Sequence, residues 1–152
     1  MWSSDKIHFK YSASDNLEKL KQLTIAEARS ILSSEKPYET SLLILPGYSD
    51  FFSYLDLVDT MNHHLEKTGL SSEIQIASFH PEYLFEGEPT RSRSHYTNRS
   101  PLPILHLLRE SDLTTAIDRY GDTSTIPEEN IRRLNKLSES DFTALFSLPK
   151  AP

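Results

Sequence analysis

The sequence predicts an α/β protein with a small, mostly parallel sheet built in the order β-α-β-α-β, followed by a helical C-terminal half. Three observations predict it. Ile7, Phe9 and Tyr11 alternate with polar residues, Leu42-Leu43-Ile44-Leu45 is an unbroken apolar run ended by Pro46-Gly47, and the segments between such strands carry apolar residues at helical spacing. A ferredoxin-like α+β arrangement with antiparallel pairing is the rival topology.

Taken in order, the Ile7 to Tyr11 segment has the period of a half-buried strand with one wet face, suited to a sheet edge. Ser14-Asp15 offers a cap before Leu17, Leu20 and Leu23, and Thr24 with Glu27 repeats a capping pattern before Ala28, Ile31 and Leu32, which fits one long helix or two short ones. The Leu42 run is too short for a helix of its own and reads as a central strand. Ser49 can cap the next helix, where Phe51, Tyr54, Leu55, Val58, Met61 and Leu65 share a face until Lys67 and Gly69 close it. A third strand follows, with Ile74, Ile76 and Ser78 on one face and Gln75, Ala77 and Phe79 on the other, stopped before Pro81.

After a long connection from His80 to Arg99, Ser100 as N-cap and Pro101 in the first helical position predict a helix bearing Ile104, Leu105 and Leu108. Further helices are expected from Asp112 to Gly121 and from Pro127, the latter capped by Thr125. Residues 1–137 read as one domain and residues 138–152 as a flexible tail with a weak amphipathic turn at Phe142, Leu145 and Phe146.

Composition narrows the function classes. A net charge of -6 makes the surface as a whole repel nucleic acid and anionic membrane, so an anion site has to be local. With no cysteine, disulfides, thiolate metal ligands and a cysteine nucleophile are absent, and a reducing, cytoplasmic location is the expectation. No apolar run approaches the ~20 residues that span a bilayer. His80, His95 and His106 lack the tight spacings of zinc motifs, no Gly-rich phosphate loop occurs, and neither metal nor cofactor is expected.

The candidate site is the stretch from Ser78 to Glu110. Ligands of parallel α/β sheets bind beyond the carboxyl ends of the strands. Thr90 to Ser100 holds Arg91, Arg93, His95 and Arg99 with no acidic residue, a basic island leading into the predicted helix N-terminus, where free N–H groups favour a phosphate or carboxylate. In that reading Asn98, Arg99, Ser100 and Arg109 hold a small anionic molecule, and His80, His106 and Glu110 are the catalytic candidates, with the histidines as acid and base. The bland readings stand beside it. Arg91 and Arg93 are solvated loop charges, His80 satisfies a backbone carbonyl, His106 and Glu110 form a surface pair one helical turn apart, and Asn98 with Arg99 clamps the loop.

The segments Ile76-Ala77-Ser78-Phe79-His80-Pro81-Glu82-Tyr83-Leu84-Phe85-Glu86-Gly87, Tyr96-Thr97-Asn98-Arg99-Ser100-Pro101-Leu102-Pro103 and Leu105-His106-Leu107-Leu108-Arg109-Glu110 resemble the signature of domain-of-unknown-function family 1415. The likeness extends more weakly from about Ile7 to Leu137. It implies fold boundaries and a site location but no reaction. The chain departs from the family in two places: members carry an additional leading segment with an Asn-Leu-Cys-Pro-Phe motif, and their loop has two acidic residues where this chain has Arg91 and Ser92. Two functions therefore compete: a metabolic enzyme acting on a small anion, and a non-catalytic ligand-binding or structural module that has lost part of the family's site.

Overall fold

A computed structural model describes residues 6–33, 35, 38–121 and 124–147. Residues 148–152, the end of the expected tail, lie outside the described residues. The described residues form four strands and five α-helices: β1 (Ile7–Tyr11), α1 (Leu17–Leu32), β2 (Thr40–Ile44), α2 (Phe51–Lys67), β3 (Ile74–Phe79), β4 (Ile104–Arg109), α3 (Glu110–Tyr120), α4 (Ile126–Lys136) and α5 (Glu139–Phe146), with a 3-10 helix at Arg93–Thr97 before β4.

The first three strands and both intervening helices are those expected, but the sheet is mixed rather than mostly parallel. Its order is β1-β2-β4-β3, and β4 runs antiparallel to both of its neighbours. Only β1 and β2 pair in parallel. The predicted helix from Pro101 does not exist, because Ile104–Arg109 is the inserted strand. Its burial alternates, with Leu105 and Leu107 inward and Ile104, His106 and Leu108 on the other side. A strand covered on one face and flanked on both edges carries apolar residues at nearly every position, and over six residues that run also satisfies a helical template. Pro101, read as the first helical position, and Pro103 instead hold the approach to the strand extended.

Both crossovers, β1-α1-β2 and β2-α2-β3, advance in the same direction across the sheet, so right-handed connections place α1 and α2 on one face. The core lies there. Leu20, Ala28 and Ile31 of α1 and Tyr54, Leu57, Met61 and Leu65 of α2 pack on Leu43, Leu45, Ile74, Leu105 and Leu107. The opposite face carries Ile7, Phe9, Tyr11, Leu42, Ile44, Ile104, His106, Leu108, Ala77 and Phe79, as the strand registers require. The wet face expected for β1 is thus reversed: Phe9 and Tyr11 are 59% and 63% exposed, while His8 turns towards α1 and bonds the buried Glu27.

Local signals located α1 to α4 to within a residue or two, whereas α5 lies where only a weak amphipathic turn was expected. Asn16, not Ser14 or Asp15, caps α1 by accepting from the Lys19 amide, and Asp50, not Ser49, caps α2 by accepting from Ser53. Thr24 and Glu27 lie buried inside a single α1 and cap nothing. Gly69 and Gly121 end α2 and α3 with φ of 74° at each, a conformation that suits glycine. Thr125 stands at the start of α4, but its side chain makes no capping bond, so the stabilisation expected of it as a cap is absent. In α5, Phe142 and Phe146 pack on Tyr96 of the 3-10 helix at 4.7 Å each, and Arg93 bonds the carbonyls of Leu134 and Leu137 and the carboxylate of Glu139.

Candidate functional site

The connection from His80 to Arg99 folds back on the end of β3 and is held by side chains that bond its backbone. His80, wholly buried against Phe51 and Tyr54, accepts the Glu82 amide at Nδ1 (3.0 Å) and donates from Nε2 to the Tyr48 carbonyl (3.0 Å). His95 repeats the pattern: its Nδ1 accepts the Phe85 amide (3.0 Å) and its Nε2 donates to the Pro89 carbonyl (2.9 Å), again with no exposure. Asn98 joins the two ends of the loop, donating from Nδ2 to the Ser78 carbonyl while its own carbonyl accepts the His80 amide. These three residues have the geometry of loop clamps, since the two buried rings and the half-buried amide bond main-chain groups of the loop.

Arg99 is placed differently. Its Nε donates to the Tyr83 carbonyl at 3.2 Å and its guanidinium lies over the Tyr96 ring at 4.4 Å. Among the described residues its terminal nitrogens have no acceptor. Arg99 separates two hollows. The larger, about 710 Å³, lies against the first turn of α2 and is lined by Phe51, Phe52, Leu55, Leu84 and Phe85, with Asp50, Glu82 and Glu86 also bordering it. The smaller, about 300 Å³, is bordered by Pro81, Tyr96, Ser100, Pro101 and Phe146. The sequence reading missed the α2 residues here; the one available signal was the cap at Asp50, which marks where a helix start faces the end of a strand.

Of the remaining site candidates only Ser100 stays beside Arg99, at the border of the smaller hollow. Ser100 is not a helix cap: its hydroxyl donates to the Leu102 carbonyl in the turn before β4, so the helix N-terminus expected to hold an anion is absent. Arg109 lies at the far end of β4, roughly 17 Å along the strand at ~3.3 Å per residue, and its Nε is paired with Asp112 at 2.7 Å. Glu110, exposed, begins α3 beside it, and the expected helical pairing of Glu110 with His106 fails because His106 is in a strand. The basic island also disperses, with Arg93 spent on the end of α4, His95 buried and Arg91 exposed.

His106 lies on the sheet face away from His80. It opposes Ala77, whereas Ser78 and His80 point to the helix side. The Thr40 hydroxyl donates to the Leu107 carbonyl at 2.6 Å, so His106 donates to Thr40 from Nε2 at 2.7 Å. The two histidines therefore cannot act on one substrate, and the acid-base site built from them is lost. Burial pushes the His106 imidazole below its ordinary value of 6.5. The unfolded chain takes up a proton near 6.5 that the folded chain resists, so the stability contributed by the neutral ring is complete above that pH. It is lost as pH falls from there through the lower folded value, by at most about 1.4 kcal/mol per pH unit. Urea midpoints measured between about pH 7.5 and 5.5 are expected to fall less steeply for His106→Gln than for the parent chain. Equal slopes would remove the buried ring as a cause.

Among the described residues no group of three or more His, Asp or Glu side chains converges as metal ligands would, and none of their helices is long and apolar enough to cross a membrane. Among curated proteins and among solved structures, no match was found. A family model described as "Protein of unknown function (DUF1415)" matches residues 1–144, nearly the whole chain, including the β3 end, the clamped loop and β4. The chain belongs to the DUF1415 family.

Proposed function

We propose that this protein is a non-catalytic binding module for a small amphipathic molecule carrying a single carboxylate. Arg99 takes the carboxylate, and Phe51, Phe52, Leu55, Leu84 and Phe85 cover the apolar body. The observation that carries this reading is the Arg99 guanidinium, fixed through Nε and by the Tyr96 ring with its outer nitrogens unengaged among the described residues, at the border of a hollow of about 710 Å³. A planar fork held in this way is suited to bidentate recognition of a carboxylate. Asp50, Glu82 and Glu86 border the same hollow. They repel a dianion such as a phosphate ester and favour a ligand that also bears a positive group. The catalytic alternative is disfavoured because His80 has both ring nitrogens committed to backbone and His106 lies on the other face of the sheet.

Thermal unfolding in the presence of hexanoate, 6-aminohexanoate and hexyl phosphate tests the reading. The aminocarboxylate is expected to stabilise most and the phosphate least. At about 100 times its Kd a bound probe adds about 2.7 kcal/mol. Arg99→Met should abolish that gain while costing the free protein about 1 kcal/mol, the value of one hydrogen bond to a carbonyl. Stabilisation that survives Arg99→Met, or none from any probe, would overturn the assignment.

A further inference from the structure

The exposed edge of β1 is unusual for a soluble sheet. Edge strands are commonly blunted by proline, a bulge or a covering element, and among the described residues β1 meets none of these: it is a five-residue strand whose one sheet neighbour there is β2. The Ser12 amide donates to the Ile44 carbonyl, and with the parallel register this turns the backbone groups of His8 and Lys10 towards β2. The N–H and C=O groups of Ile7, Phe9 and Tyr11 therefore face outward. On the sheet face away from the helices, the same three residues present a row of apolar side chains, with Phe9 and Tyr11 more than half exposed.

We infer that β1 is a homodimerisation edge, pairing antiparallel with β1 of a second copy about a two-fold axis through Phe9, so that two four-stranded sheets become one of eight strands. This is independent of the ligand reading at Arg99. Three features select a second copy and this register. First, the outward backbone groups fall on alternate residues symmetric about Phe9, so Phe9 pairs with the partner's Phe9 and Ile7 with the partner's Tyr11, each as a hydrogen-bonded pair. Second, these facing residues are apolar on both sides, the arrangement that stabilises cross-strand neighbours. Third, the charges complement each other. On the helix side the axis sets the partner's Lys10 opposite His8, whose Nδ1 is 2.7 Å from the buried carboxylate of Glu27. The lysine reaches towards that acid from across the seam, and the same contact repeats by symmetry. Registers centred on His8 or Lys10 fail, since the backbone groups there are spent on β2, and the latter would place the two lysines face to face.

Sedimentation equilibrium on the full chain from about 5 to 500 μM tests this. The expected mass rises from 17.4 kDa towards twice that value, and Phe9→Asp or Lys10→Glu weakens association at least tenfold. Circular dichroism should show both variants folded, because neither side chain is in the core. Since the chain has no cysteine, Phe9→Cys supplies a lone thiol, and mild oxidation should give a 9-to-9 disulfide dimer much faster than Phe52→Cys, which is 74% exposed on α2. Hydrogen-bonded antiparallel partners stand about 5.5 Å apart at Cα, within disulfide reach. A monomer across the whole range, a dimer that persists in Phe9→Asp, or equal oxidation of the two cysteine variants would overturn the inference.

Discussion

His95→Ala is expected to lower the unfolding free energy by about 3–5 kcal/mol, through loss of a buried ring and exposure of two main-chain groups to an unpaired state. The imidazole is wholly buried and bonds the Phe85 amide and the Pro89 carbonyl across the loop. It also stacks on the Phe85 ring, with centroids 6.1 Å apart. No rearrangement confined to the side chain can restore both bonds, so the loop around Phe85 must loosen or accept water. For a chain of this size the melting temperature should drop by roughly 10 °C, at 2–4 °C per kcal/mol. The matched control is Arg91→Ala in the same loop, exposed and expected to change stability by less than about 0.5 kcal/mol. If the two variants melt alike, the clamp is not what orders the loop. Because Phe85 lines the hollow beside Arg99, His95→Ala should also weaken probe binding although it touches no ligand.

The contrast between His95 and His106 shows what could be read from the sequence and what could not. The elements up to Phe79 were legible because each has a period longer than its ambiguity: α2 repeats its apolar face over 17 residues, and β2 is bounded by Pro46-Gly47. The segment Ile104–Arg109 was not, since a six-residue apolar run meets both helical and extended templates and its partners β2 and β3 are distant in sequence. That one error removed the helix N-terminus at Ser100 and placed His106 on the wrong side of the sheet from His80. The basic island failed for a related reason. Local charge says nothing of where a side chain is spent, and the acceptors of Arg93 lie more than forty residues away on α4 and α5. The hollow beside Arg99 was not legible, because Phe51, Phe52 and Leu55 reach it from α2. The clamp role of Asn98 was foreseen as one alternative and is the one its contacts match.

Tyr54→Phe is expected to cost about 2–4 kcal/mol, an unusually large loss for removing one oxygen atom. The phenol lies wholly buried under the end of the sheet, where it donates to the Ile104 carbonyl at 2.7 Å and accepts the Phe79 amide at 2.9 Å. Phe79 and Ile104 are themselves register partners at the last rung between β3 and β4, so the hydroxyl closes the ladder at the point where the strands part. Burial raises the phenol far above its usual pKa, which keeps the proton in place for donation at every pH at which the protein folds. The substitution keeps the ring and therefore the packing against His80, so cavity formation contributes almost nothing and the loss reports the two stranded backbone groups. Hydrogen exchange separates this from general loosening. The amides of Phe79 and His80 should lose protection well beyond the global change, while those of the β1–β2 pair follow it. A cost below about 0.5 kcal/mol with unchanged exchange at Phe79 would mean that water replaces the hydroxyl, and the end of β3 would then be held by Asn98 and His80.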